Sequence, residues 1–70
     1  MKPTAVEIRR ESTGVVPVWT YLARVPGAVP KYGYLDWLGH VATLGAAIAT
    51  FAEHRHARAF CAAHGIRVVG

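Results

Sequence analysis

The segment Glu53–Gly65, EHRHARAFCAAHG, constrains the fold of this chain most strongly. Its apolar side chains recur at helical spacing, so that one face carries Ala57, Phe60, Cys61 and His64 and the opposite face carries Arg55, Arg58 and Ala62. Gly65 is suited to the left-handed conformation in which many helices end. We predict a helix over Glu53–His64, followed by a short final strand over Ile66–Val69 that returns to a sheet.

The first third of the chain has the pattern of a β-hairpin. Thr4–Glu11 alternates apolar and charged side chains, as a half-buried strand does. Ser12-Thr13-Gly14 is a turn signal. Val15–Val25 is rich in Val, Trp, Thr and Tyr, which favour strands, and both of its faces are largely apolar. We therefore predict two strands joined by a turn, with the second strand either covered on both sides or showing an aromatic face to a partner.

The middle of the chain gives a weaker pattern. Pro26–Pro30 holds two prolines and a glycine and is predicted to be a loop, with a third strand over Lys31–Leu38. Gly39–Ala52 has apolar residues at helical spacing and several alanines, which favour a helix. Gly45 opposes that helix, and the alternative is a turn near Gly45 followed by a short strand over Ala47–Ala52.

The predicted fold class is α+β in a single domain over residues 1–70. It consists of a small antiparallel β-sheet of three to four strands with one long or two short C-terminal helices packed on one face. The ending TFAEHRHARAFCAAHGIRVV resembles a pattern found in many small phage and bacterial proteins, in which an Ala-x-x-Phe step packs a helix and His-Gly precedes a valine-rich strand. This resemblance concerns the docking of a helix on a sheet and implies no activity.

Size and composition limit the stability, the cysteine chemistry and the cellular location that we expect for this chain. A chain of this length buries only about 60% of the surface of its unfolded form, so its stability margin is thin. The single Cys61 excludes an internal disulfide. A buried thiol in a reducing cytoplasm is favoured over a bond between two chains. The apolar fraction of 53% indicates surface left for a partner or a homodimer. We expect no signal peptide and no membrane-spanning helix.

The sequence predicts no metal site, no cofactor and no enzymatic activity. His54, His56, Cys61 and His64 are residue types that bind zinc, but helical geometry points the first two about 200° apart and leaves Cys61 and His64 as the only pair able to hold one ion. Cys61 lies on the packing face, where a thiol is a poor nucleophile. The chain has no Asn or Gln for an oxyanion hole, no paired carboxylates and no phosphate-binding loop.

Binding is therefore the predicted role, and two hypotheses are open. The first is a protein-interaction module, a small intracellular accessory or inhibitory protein; in size and architecture the chain looks like small phage-encoded inhibitors such as anti-CRISPR or anti-restriction proteins. The second is a nucleic-acid-binding domain, because a net charge of +4 and strand aromatics suit a stacking platform. The candidate binding residues are Arg9, Arg10, Arg24, Lys31, Arg55, Arg58, Trp19, Tyr21, Tyr32 and Tyr34.

Overall fold

A computed structural model describes residues 2–12, 19–28, 33–42 and 47–69 of the chain. Its regular elements are strand β1 (Ala5–Ser12), strand β2 (Trp19–Arg24), helix α1 (His54–Ala63) and strand β3 (Arg67–Val68). The three strands form one sheet in the order β2-β1-β3, with α1 packed on one face. The α+β fold class predicted from the sequence is confirmed.

The antiparallel pair β1 and β2 forms as the alternating pattern predicts. Glu7 lies opposite Arg24, and Ser12 lies opposite Trp19. Val6 and Ala23 point to the helix side and are buried, whereas the charged alternate residues of β1 point to the other face. Leu22 is also buried, so β2 is covered on both faces in its second half. The predicted turn and the start of the second strand lie outside the described residues.

The third strand of the sheet differs in direction from the predicted antiparallel arrangement. β3 pairs with β1 in parallel, with Ala5 opposite Arg67 and Val6 opposite Val68, so the sheet is mixed. Parallel neighbours need a crossover connection, and α1 is the helix that directly precedes β3. The final strand predicted at Ile66–Val69 is confirmed in position.

The strand predicted at Lys31–Leu38 is reduced to isolated bridges. Tyr34 pairs with Arg24 at the outer edge of β2, and Leu35 pairs with Val41 across a tight turn. Leu35 is fully buried, because its side chain reaches the same core as Val6. Lys31 and Tyr32 lie outside the described residues.

The helix predicted over Gly39–Ala52 is wrong for the residues that the structure describes. Ile48 and Phe51 are extended and bridge Asp36 and Tyr21, which agrees with the alternative of a short strand over Ala47–Ala52. The Phe51 N–H donates to the Tyr21 carbonyl at 2.9 Å, and the Tyr21 N–H donates to the Phe51 carbonyl at 2.8 Å. Completing the edge of β2 satisfies these backbone groups, and this tertiary gain outweighs the helix propensity of the alanines.

The C-terminal helix forms where the sequence predicts it. Glu53 is its N-cap and His64 its C-cap. Gly65 has a φ of 69°, its N–H donates to Ala62, and the Ile66 N–H donates to Cys61, which together make a Schellman ending. Cys61 and Ile66 then lie in one buried cluster with Val6, Ala23 and Leu35, against which Val25, Phe60 and Val68 also pack.

Candidate functional site

The candidate binding residues fall into separate groups rather than onto one platform. Arg9, Arg24 and Tyr34 lie on the sheet face away from α1. Arg10, Trp19 and Tyr21 lie on the same face as α1. Arg55 and Arg58 lie on the exposed surface of α1. Lys31 and Tyr32 lie outside the described residues.

The polar face around Tyr34 is occupied by contacts within the protein. The Tyr34 hydroxyl donates to Glu11 Oε2 at 2.6 Å, and the Arg24 guanidinium lies 5.8 Å from the centre of the Tyr34 ring. Burial, followed by the hydrogen bond to Glu11, raises the pKa of Tyr34 above its ordinary value. Arg9 pairs with Glu7 at 3.2 Å, and Arg24 donates to the carbonyl of Ala28. Tyr34, Glu11 and Arg24 thus contact groups within the protein, whereas the Arg9 side chain remains half-exposed beside Glu7.

The two aromatic candidates on the helix side, Tyr21 and Trp19, differ in their exposure to solvent. Tyr21 is half-buried and meets the His54 ring edge-on, with the ring centres 5.6 Å apart. Trp19, the first residue of β2, is 55% exposed, and the Arg10 guanidinium lies 5.6 Å from its ring centre. Among the ten candidates, this pair is the described place where an exposed aromatic ring and an exposed cation lie together.

The histidine and cysteine string of α1 is divided among different contacts. His56 approaches Glu53 at 3.8 Å, and His64 packs on Phe60 with the ring centres 4.4 Å apart. Cys61 is fully buried, and burial raises the pKa of its thiol, so the thiolate is disfavoured at neutral pH. In the described part of the chain, no three metal-binding side chains come together.

A turn that the candidate set missed presents two of the three exposed large apolar side chains among the described residues. Asp36-Trp37-Leu38-Gly39, which we name the DWLG turn, leaves Trp37 51% and Leu38 69% exposed. The Gly39 N–H donates to the Asp36 carbonyl at 3.1 Å, and Gly39 has a φ of 80°. The signal was present in the sequence, since Asp at the first position and Gly at the fourth are typical of a β-turn.

The carboxylate of Asp36 fixes the shape of the DWLG turn. It accepts hydrogen bonds from the N–H groups of Leu38 at 2.9 Å and His40 at 3.0 Å. The bond from His40, opposed by desolvation and assisted by the bond from Leu38, lowers the pKa of Asp36. Across the base of the turn, the Asp36 N–H donates to the His40 carbonyl at 2.9 Å. Trp37 and Leu38 are therefore held out from the surface by an ordered backbone.

Aromatic rings support the turn from beneath. The Trp37 ring centre lies 5.5 Å from that of Phe51 and 6.2 Å from that of Phe60, and the two phenylalanines are 5.3 Å apart. Gly39 packs against His64 so closely that a Cβ on Gly39 would lie 2.6 Å from Nδ1 of that ring. The turn is thus attached to the C-terminal half of α1.

None of the described helices has the length and apolarity needed to cross a membrane. No family model matches the chain, and neither the curated proteins nor the solved structures contain a match to it.

Proposed function

We propose that this protein is a non-enzymatic protein-interaction module whose anchor is the DWLG turn. The observation that carries the proposal is the exposure of Trp37 and Leu38 on a turn that Asp36 holds in place. Tryptophan is enriched among the residues that dominate binding energy at protein interfaces. Since the turn is already ordered, a partner that binds it avoids most of the entropic cost of fixing a loop.

The turn suits an apolar pocket on a different, larger protein. The exposed parts of Trp37 and Leu38 offer on the order of 200–300 Å² of apolar surface. A stable interface needs roughly 800 Å² on each partner, so a symmetric contact between two such turns would fall short of a dimer. A protruding anchor surrounded by ordinary surface instead matches insertion into a pocket, with neighbouring polar residues forming the rim.

The finer form of the proposal is a small inhibitor of phage or mobile-element type that acts in the cytoplasm. Its support is the small size and plain α+β architecture, together with the exposed Trp37 and Leu38 of the DWLG turn. A pocket on a larger protein that is filled by Trp37 and Leu38 would be blocked for its normal ligand. Within this proposal, anti-CRISPR proteins are the class of inhibitor that the size and architecture of the chain fit.

The test is photo-crosslinking from the turn itself. A photoreactive benzoylphenylalanine replaces Trp37 in one preparation and Trp19, the other exposed tryptophan, in a matched control. Each is irradiated in lysate of the native host. We expect a defined heterologous product from position 37 that position 19 does not give. Leu38→Ser should then weaken binding of the purified partner by at least about tenfold.

Leu38 is the better variant for affinity, because Trp37 also packs on the phenylalanines beneath it, and a small residue there would lose the aromatic packing that benzoylphenylalanine keeps. The proposal is rejected if both positions give the same products, or if Leu38→Ser binds the partner as tightly as the wild type. Crosslinks only between copies of this chain would show instead that the turn is a homodimer contact.

Binding of nucleic acid is the second candidate function, and the Arg10–Trp19 pair favours it. An exposed ring beside a guanidinium is the arrangement on which an unpaired base stacks. We expect a single-stranded oligonucleotide to bind with an affinity that falls steeply as salt increases. Trp19→Ala should then weaken binding by roughly tenfold, since stacking on one ring contributes about 1–3 kcal/mol. Absence of binding at low salt would exclude this function.

A further inference from the structure

A shallow groove runs between α1 and the edge of the sheet, on the side of β3. It has a volume of about 480 Å³ and is open to solvent. Its lining combines apolar and basic residues: Arg58, Ala59, Ala62, Ile66, Arg67 and Val68. Ala59 and Ala62 have small side chains, so the helix side of the groove leaves room for a further strand beside β3.

The outer edge of β3 offers backbone groups for such a strand. β3 is the terminal strand of the described sheet. The N–H groups of Arg67 and Val69 donate inward, to Thr4 at 3.2 Å and Val6 at 2.8 Å. Because backbone groups alternate in direction along a strand, the N–H and C=O of Val68 point outward, away from β1. An extended peptide could pair with both.

The charge around the groove is positive. The four acidic side chains are engaged elsewhere: Glu7 with Arg9, Glu53 with Arg55, Glu11 with Tyr34, and Asp36 within its own turn. Arg58 and Arg67 are exposed and have no ion pair within the described residues. The ammonium group of Lys2 lies near Gly65, at 3.8 Å from where a Cβ would stand. An acidic occupant would neutralise this end of the molecule.

We infer that the groove binds an acidic, extended segment of a partner protein, which adds to the sheet as a fourth strand beside β3. Main-chain bonds to Val68 supply pairing that is independent of sequence, as in other cases of strand addition. Small apolar side chains of the segment lie on the helix side, against Ala62 and Val68, and the carboxylates that alternate with them lie on the opposite side with Arg67, while the exposed Arg58 adds positive charge beside the groove. The partner chemistry is thus defined by alternating apolar and acidic residues.

This site is separate from the DWLG turn. Arg58 and Ala62 lie about 160° around the helix axis from Phe60, which supports the turn, because successive helical residues are about 100° apart. The inference shares with the proposed function only the premise that the protein binds other proteins. Leu38→Ser should therefore leave binding at the groove unchanged, and failure of one site does not entail failure of the other.

The direct test uses a fluorescent peptide of about eight residues in which valine and glutamate alternate. Anisotropy measures its binding to the full chain. A second peptide carries lysine in place of glutamate, and a third carries an N-methyl group on every backbone amide, which preserves its charge but blocks strand pairing along both edges. We expect only the unmodified acidic peptide to bind, with slower hydrogen exchange at the Val68 amide.

The variants Arg58→Glu and Arg67→Glu should each weaken binding by roughly tenfold or more, as expected when one partner of a close charge pair is reversed. Arg10→Glu is the matched control, because it makes the same change in net charge at the opposite end of β1. It should leave peptide affinity within about twofold of the wild type. Circular dichroism checks that each variant is folded.

Three outcomes would overturn the inference. Equal binding of the N-methylated peptide would show that strand pairing is not involved. Equal losses in Arg10→Glu and Arg67→Glu would show an unspecific effect of net charge. Tighter binding of an oligothymidylate than of the acidic peptide, lost in Arg58→Glu, would assign the groove to a nucleic-acid backbone. Because hydrogen exchange at Val68 is measured on the wild type, the test does not depend on the folding of any variant.

Discussion

The hydroxyl of Tyr34 joins the segment after the loop to the first strand of the sheet. It donates to Glu11 across a distance of 2.6 Å in a partly buried position. Removal of the hydroxyl leaves that carboxylate without its donor, while the ring can still stack on Arg24. A partly buried bond to a charged acceptor is worth more than a neutral one on the surface.

Tyr34→Phe should therefore lower the free energy of unfolding by about 1 kcal/mol, measured by urea denaturation at neutral pH. Glu11→Gln is the control, because its amide oxygen can still accept the bond. The raised pKa of Tyr34 also predicts how stability depends on pH. The contribution of Tyr34 to the free energy of unfolding is present below the ordinary tyrosine pKa near 10 and is lost as pH rises through the pKa of the folded state. An identical alkaline loss of stability in wild type and Tyr34→Phe would contradict this assignment.

Single residues were predictable from the sequence where burial alone decides their place. Ala57 and Cys61 lie on the packing face of α1, as the helical spacing indicates. Trp37 was not predictable in this way. Alternation along a strand places it with Leu35, but the strand ends at Asp36 and the chain turns, so that Leu35 is buried and Trp37 is exposed.

At the scale of elements, the close packing of Gly39 on His64 couples the DWLG turn to the end of α1. A Cβ on Gly39 would meet Nδ1 at 2.6 Å and Cγ at 2.8 Å of the His64 ring. The positive φ of 80° adds a second penalty for any residue with a side chain. These two penalties can be separated by experiment.

Gly39→Ala should destabilise the protein by about 2–3 kcal/mol, because the φ penalty and the clash add. The added change His64→Ala removes the clashing ring atoms and leaves the φ penalty and the tight contact with Cβ of residue 64 at 3.1 Å, so the double variant should recover about 1 kcal/mol in a double-mutant cycle. Thermal unfolding followed by circular dichroism measures each corner of the cycle. A coupling energy of zero would mean that the turn and the helix end are not in contact in solution.

Elements with a strong local signal were predictable, and those made by distant pairing were not. β1, β2 and α1 have clear periodicity, and Gly65 marks the helix end. In Gly39–Ala52 the spacing of apolar residues fits a helix, yet Ile48 pairs with Asp36 and Phe51 pairs with Tyr21 of β2. Such pairing depends on backbone groups that the side-chain pattern does not reveal. The direction of β3 was missed for the same reason.

At the scale of the whole molecule, the distribution of charge makes acid the condition to which the fold is most sensitive. All four carboxylates make contacts, and the contacts of Asp36 lower its pKa. A lowered pKa contributes stability above the ordinary value near 3.9, and this contribution is lost as pH falls through the folded value. With eight Lys and Arg, neutralising the four acidic side chains raises the formal charge from +4 to +8.

We expect the Tm to fall by roughly 10 °C between about pH 5 and pH 3, and added salt to restore part of the loss because it screens the repulsion. Calorimetry at low and high salt measures both effects. Asp36→Asn keeps an acceptor oxygen in the turn and removes its titration, so its acid transition should be shallower than that of the wild type. A Tm that is the same at both pH values would show that the carboxylate contacts contribute nothing to stability.

The pairing of β3 with β1 also determines the order in which the sheet assembles in time. β1 and β2 are near in sequence and can associate early, but Ala5 can meet Arg67 only once the chain has been made through Arg67. Contacts of such large sequence separation form slowly. Until α1 and β3 dock, Val6 and Ala23 stay open to solvent on an unfinished hairpin. We therefore expect the newly synthesised chain to be prone to association through this exposed apolar surface until α1 and β3 cover it.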